Sequence, residues 1–352
     1  MSNLTIALSV LAGVVIAGLA AHGVWSARRA DERRPVTMVA RPEPVEPTLG
    51  DPAAAAGTAG HEPALDEPVR AERARSRRGA ARIDALIDAV IGLSVDAPVS
   101  GEFVLQHAPA TRRAGSKPFL IEGLNVGTGE WEAPAAGQSY RELQAGVQLT
   151  NRSGAINEIE YSEFVQTLQS FADAIGAMAD CPDMLDVVAR ARELDAFAGQ
   201  HDAQLAVHLH ARSAVWSVAY VQQHAARHGF VPGTVPGRLM LPSDEDGAPP
   251  VVTLSFDSQA ALDDDPQRSV VRDVTLSLDV PQTDPRFAPY VAWQASAQAL
   301  SLGMDAAIID DQGRPISEAG FAAIGAELEQ LYSSLRSRDL AAGSPAARRL
   351  FS

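Results

Sequence analysis

The sequence predicts an α+β protein, an antiparallel sheet with helices on one face. The unit is expected twice, as degenerate copies, after one N-terminal transmembrane helix and a disordered linker. Three observations lead there. Residues 272–312 read as strand, helix, strand and acidic turn, with Val274, Leu276, Leu278 and Val280 alternating with Thr275, Ser277 and Asp279, the period of a sheet with one buried face. The same order of elements recurs, and SGEFVLQHA at 100–108 lies over SVAYVQQHA at 217–225, an offset of 117 residues. A shared period of this kind marks a repeated module. Finally, residues 4–25 form an almost unbroken apolar run, with a proline-containing stretch beyond it.

That run matches the roughly 20 residues that span a hydrocarbon core as helix. His22 is its only ionisable group, and Trp25 sits where an interfacial aromatic anchors. Arg28, Arg29, Arg33 and Arg34 follow at once, whereas no Lys or Arg precedes the run. The positive-inside tendency then puts the C-terminal side in the cytoplasm and the N-terminus outside. A cleaved signal peptide fits less well, because a basic n-region is missing and the apolar core is too long. Residues 1–27 are therefore expected to be a membrane anchor with a short flank. Residues 28–80 carry Pro35, Pro42, Pro44, Pro47, Pro52, Pro63 and Pro68 among Ala, Glu, Gly and Arg. Such a composition buries too little surface to order itself, and it reads as a linker with a random-coil reach of about 40 Å. Its end holds Arg70, Arg73, Arg75, Arg77 and Arg78, suited to anionic lipid or to solvent alone.

With 352 residues there is room for one or two domains and tails. A formal net charge of −15 argues against nucleic acid, which rewards basic patches. A single cysteine, Cys181, excludes an internal disulfide and a multi-cysteine metal site. It reads as a small, partly buried apolar residue.

The folded part is expected from about residue 82, as a first α+β module over 81–200, a second over 201–340, and a tail over 341–352. In the first module, strands are expected at 83–95, 117–124, 143–150 and 155–161, and helices at 101–107, 162–178 and 182–199. Asn151-Arg152-Ser153-Gly154 is a hairpin signal. In the second, strands are expected at 203–211, 238–241, 250–256, 274–280 and 306–309. A helix at 217–228 is closed by Gly229. Another follows Pro285, with Phe287, Val291, Ala295 and Leu302 among its apolar positions, and a last one spans 317–335 with Phe321, Ile324, Leu328 and Leu331 at helical spacing.

Candidate chemistry is sparse. His208 and His210 share one strand face, and His224 and His228 stand at i,i+4, a spacing that can bind zinc. Neither pair comes with H-E-x-x-H or an obvious third ligand, so surface or sheet-face roles fit better than a metal-dependent enzyme using His208, His210 and His224. Asp310-Asp311 reads as a turn, and Asp263-Asp264-Asp265 lacks EF-hand spacing. No Walker A, G-x-S-x-G or dinucleotide glycine pattern occurs.

A V-T strand closing on Val280-Pro281, a helix carrying Gln294-Ala295-Ser296-Ala297-Gln298 and an apolar strand ending in Asp310-Asp311-Gln312 together resemble the C-terminal domain of the ZipA family. These are bacterial cell-division proteins that tether FtsZ to the inner membrane. The similarity covers about residues 203–335; the module at 81–200 is an addition to the usual pattern. The resemblance implies no catalysis, no cofactor and no small-molecule substrate. It implies a single-pass inner-membrane protein, held through residues 4–25 with its domains in the cytoplasm. It also implies an open sheet face that takes the C-terminal tail of FtsZ by groove recognition. With Leu205, Val207, Leu209, Val274, Leu276 and Leu278 facing the helices, that open face holds Ala206, His208, His210, Arg238, Met240, Thr253, Ser255, Thr275 and Ser277. The family carries phenylalanine where Ser277 aligns. A membrane-tethered scaffold of the same fold with a different protein partner is the alternative reading.

Overall fold

The structure, a computed structural model, describes residues 82–352 apart from 246 and 264. The anchor, the linker and the arginine cluster expected before residue 81 lie outside the described residues. No helix among the described residues is long and apolar enough to cross a membrane. The described chain is α+β, with antiparallel sheets and packed helices.

The first part runs β1 (Asp88–Ser100), α1 (Gly101–His107), β2 (Arg113–Ala114), β3 (Lys117–Asn125), β4 (Trp131–Glu132), β5 (Ser139–Gln148), the small hairpin β6 (Thr150–Asn151) and β7 (Gly154–Ala155), α2 (Glu158–Ile175), β8 (Ala177–Asp180) and α3 (Met184–His201). Its sheet has the order β2-β3-β5-β1-β8, with β4 also on β3. Ala89, Ile91 and Leu93 of β1 join Phe119, Ile121, Leu143 and Val147 in a core closed by Phe164, Leu168 and Phe171 of α2. Each fully buried side chain of this size stabilises by about 1.5–3 kcal/mol.

Of residues 155–161, expected as a strand, only Ala155 belongs to one, in β7, and residues 158–161 instead start α2. Asn157 accepts hydrogen bonds from the Ile159 and Glu160 amides, and the Glu160 carboxylate accepts one from the Asn157 amide. This capping box satisfies the orphan donors of the first turn and outweighs the short apolar alternation. The helix ends on Gly176 at φ 69°, a left-handed cap that glycine adopts at little cost. The Asn151–Gly154 hairpin forms, but between strands of only two residues.

The second part runs β9 (Gln204–Ala211), β10 (Trp216–Ser217), α4 (Val218–Arg227), β11 (Val231–Pro232), β12 (Arg238–Leu241), β13 (Val252–Ser255), β14 (Val270–Val271), β15 (Asp273–Asp279), α5 (Pro289–Met304), β16 (Ala306–Ile309) and α6 (Glu318–Ser337). The sheet order is β11-β12-β13-β15-β9-β16. Helix α5 presses Trp293, Ala297, Leu300 and Met304 onto it, and the Trp293 indole N–H donates to the Leu276 carbonyl at 3.0 Å. The stripe expected on this helix is therefore wrong: Val291 is 63% and Leu302 88% exposed. Phe287 belongs to a separate 3-10 turn, Pro285–Phe287, and Ala288 breaks the run at φ 47°. That break resets the helical phase, and the face bearing the Trp293 ring is the one buried.

The two sheets share an order. The first strand of each part lies beside the last, and the remaining strands stack outward in reverse, with β13 as an extra strand in the second. Ser100 caps α1 through the Phe103 amide at 3.3 Å, and Ser217 caps α4 through the Tyr220 amide at 3.2 Å. The rings that follow repeat as well: Phe103 lies 4.4 Å from His107 and Tyr220 4.3 Å from His224.

The open faces differ in cover. Residues 82–87 cross the open side of the first sheet. The Ile83 amide donates to Glu122 at 2.9 Å, and the Ile83 side chain sits over Gly146, where any β-carbon would crowd it.

Residues 341–352, expected as a tail, are instead built into the fold. Gly343 turns the chain at φ 76° so close to the Asp284 backbone that a β-carbon would collide with it. Helix α7 (Pro345–Leu350) follows, and Ala347, Leu350 and Phe351 join the second core, as does Ile87 from just before β1. Arg349 of α7 donates to both oxygens of Asp88, at 2.8 and 2.5 Å, and to the Arg82 carbonyl. Asp88 has 0% exposure. The buried Gln148 amide donates to the Arg349 carbonyl at 2.6 Å. Arg152 adds a more exposed bridge, to Asp202 and Asp279 at 2.6 and 2.7 Å.

Removing one partner of a buried ion pair leaves an uncompensated charge. Asp88→Ala and Arg349→Ala are each expected to cost about 3–5 kcal/mol in urea unfolding. Breaking the exposed Arg192–Glu158 pair on α3 and α2 is expected to cost under about 1 kcal/mol in the same measurement.

Candidate functional site

Directly opposed residues of an antiparallel ladder share a face, so the register of the second sheet decides what its open side presents. Met240, Thr253, Ser277 and Ala206 form one row across β12, β13, β15 and β9. Arg238, Ser255, Thr275 and His208 form the next, continued by Ile309 of β16. Asp273, His210 and Ala307 form a third. All nine residues expected on this face are therefore brought together. Val207, Leu209, Val274, Leu276 and Leu278 are buried on the opposite side.

Sequence reasoning missed Ala307, Ile309, Asp273 and Asp311. Ala306 to Ile309 are four apolar residues in a row, which carry no period to say which pair faces out. Asp273 was legible, as it continues the alternation of β15 by one residue.

The histidines are fixed by their neighbours. His208 Nε2 lies 2.8 Å from Asp311 Oδ1, and its Nδ1 lies 3.0 Å from Thr275 Oγ1. A carboxylate only accepts, so Nε2–H donates to Asp311, and Nδ1 lies against the Thr275 hydroxyl. His210 Nδ1 lies 2.5 Å from Asp273 Oδ1. The turn after β16 aims Asp311 at His208. Within it the Asp310 carboxylate accepts from the Gln312 and Arg314 amides and from Arg314 Nε, at 2.9, 2.8 and 2.9 Å. These bonds, the Arg314 amide first, hold the Asp310 carboxyl below its ordinary range.

A groove lies toward each end of the face. One, of about 470 Å³, is lined by Ser255, Thr275 and Asp273 with Phe256 and Val271. The other, of about 350 Å³, is lined by Arg238, Thr253 and Ser277 with Pro249, Pro250 and Arg152. Arg152 reaches it from the first part of the fold, with its guanidinium held above the ordinary range chiefly by the Asp202 hydrogen bonds. Arg238 is exposed, and no ion pair forms on it among the described residues.

The three histidines weighed for a metal do not converge. His208 and His210 lie on the open face, whereas His224 sits on α4 in the helix layer, against the Tyr220 ring. Burial there lowers the His224 pKa. No group of three His, Cys, Asp or Glu side chains among the described residues could hold a metal ion. Cys181 is half-buried, and burial pushes its thiol up, away from reactivity. Comparison of the sequence with known proteins finds no matching family and no matching curated protein.

The Asp310 shift has a defined sign. Its folded pKa is depressed, so the carboxylate supports the turn above the ordinary value of 3.8 and releases it as pH falls through the lower folded value. An NMR titration is expected to find the Gln312 and Arg314 amide shifts moving with a midpoint below 3.8. Asp310→Asn is expected to abolish that titration.

Proposed function

We propose that this chain is a non-catalytic, membrane-tethered cell-division protein of the ZipA type. Its second sheet would hold the C-terminal tail of FtsZ on the open face and so tie filaments to the inner membrane. The observation that carries the reading is that face, where the nine residues expected from the sequence stand in register, uncovered by helices, with a groove at either end. A short segment laid across it meets hydroxyls, imidazoles and the Arg238 guanidinium, which give orientation, and Met240 and Ile309, which give apolar contact. The anchor at 4–25 and the linker at 28–80 supply the tether.

The two halves are read as degenerate copies of one unit, supported by the shared strand order and the matching caps at Ser100 and Ser217. The first copy is the poorer docking surface, since residues 82–87 lie over part of its open side. The polar pairs on the second face, His208–Asp311 and His210–Asp273, favour one further reading: a tethered scaffold that uses this face for a different protein.

Titration of the protein with an FtsZ tail peptide decides between these. Saturable binding is expected, weakened by Arg238→Glu. Ser277→Phe, which restores the family's apolar contact of about 1.5–3 kcal/mol, is expected to tighten it by roughly tenfold to a hundredfold. No saturation at about 1 mM peptide, together with normal division in a deletion strain, sinks the FtsZ reading. Enrichment of another protein by the native chain, lost in Arg238→Glu, favours the scaffold.

A further inference from the structure

Helix α5 holds no Asp, Glu, Lys or Arg along its whole length, in a chain of net charge −15. One face of it packs on the sheet through Trp293, Ala297, Leu300 and Met304. The opposite face carries Val291, Ala295, Gln298 and Leu302, spaced so that they form one stripe over three turns. All four are exposed, and Leu302 is the most exposed large apolar side chain among the described residues. The Tyr220 hydroxyl donates to the Gly303 carbonyl at 3.1 Å, which brings the exposed Tyr220 ring to the same end of the stripe.

Both ends of α5 are mismatched with the helix dipole. The N-cap is Ala288, which offers no side-chain acceptor, and no acidic residue stands in the first turn. The partial positive charge on those amides is therefore met by no side chain of the cap or first turn. At the other end stands Asp305, a carboxylate where the dipole is already negative. Asp305 is exposed, accepts from the Ser213 hydroxyl at 2.7 Å and forms no ion pair among the described residues.

We propose that α5 is the contact through which two copies of this chain pair, antiparallel about a two-fold axis. A two-fold interface sets the same patch against itself, so the patch must be self-complementary. This stripe meets that condition. With the helices antiparallel, Val291 opposes the partner's Leu302, and the small Ala295 opposes the partner's Gln298. One turn further out, the partner's Asp305 comes to the uncapped amides after Ala288, and the symmetry repeats this contact at the other end. Opposed dipoles add to the attraction. A contact of one helix per copy is small, which puts the dimer in the weak class. The inference does not rest on what the open sheet face binds. Because α5 packs on the core side of the sheet, pairing leaves that face free on both copies and presents two of them together.

The full chain in neutral detergent is followed by sedimentation equilibrium. A reversible monomer–dimer equilibrium is expected, with a Kd of about 100 μM. Leu302→Glu changes a side chain outside the core and is expected to weaken the dimer at least about tenfold; an unchanged thermal melt confirms its fold. The register is read by cross-linking in a Cys181→Ser background. Val291→Cys chains mixed with Leu302→Cys chains are expected to form a disulfide between the two variants under mild oxidation. Either variant alone is expected to give little, because like positions lie roughly 16 Å apart along the pair. The proposal is overturned if the chain stays monomeric up to about 1 mM, or if either cysteine variant cross-links to itself as readily as to the other. It is equally overturned if Leu302→Glu associates as the native chain does, which assigns the association to another segment such as residues 4–25.

Discussion

Asp88 opens the first strand of the folded region with no exposed surface, and its carboxylate is met there by Arg349 on both oxygens and by the Asp84 amide at 2.8 Å. Desolvating either charge alone costs several kcal/mol, which only good geometry and further hydrogen bonds recover. The further bonds are present: Arg349 also donates to the Arg82 carbonyl, and its own carbonyl accepts from Gln148. One pair therefore joins the start of the first sheet to the last helix. The chain between them must be folded before either charge is satisfied. Ile87 and Phe351, on the two sides of this junction, both enter the second core.

With the apolar core on one side of each sheet, the other side is left to solvent or to the rest of the chain. In the first sheet that side is already shared with residues 82–87, and Ile83 stands over Gly146. In the second it stays accessible, but its residues are tied to one another as well as offered outward. His208 is held between Thr275 and Asp311, and His210 beside Asp273. A face ordered in this way presents fixed donors and acceptors and little apolar area, which favours orientation over depth of burial. The absence of a large apolar side chain at Ser277 has the same consequence.

The halves resemble each other most where local chemistry is strictest. Ser100 and Ser217 end a strand and cap a helix with the same bond, and Val104 and Val221 are buried at the same helical step. They diverge where loops allow it, and the second sheet accommodates β13 between β12 and β15.

Sequence alone determined what depends on neighbours within a few residues. The alternation of β9, β12, β13 and β15 placed nine side chains on one face, the matched serines marked two helix starts, and α+β class followed from the order of periods. Where two local signals competed, the folded structure decided between them. The capping box at Asn157 overrode a strand pattern, and the break at Ala288 turned a different stripe of α5 toward the sheet. The partners of β16, the entry of residues 341–352 into the core and the Asp88–Arg349 pair are tertiary facts. Gln148 and Arg349 lie 201 residues apart, and no periodicity reaches that far. Such contacts are selected by the cost of leaving a charge or an amide buried without a partner, a cost that arises only once the core has closed around it.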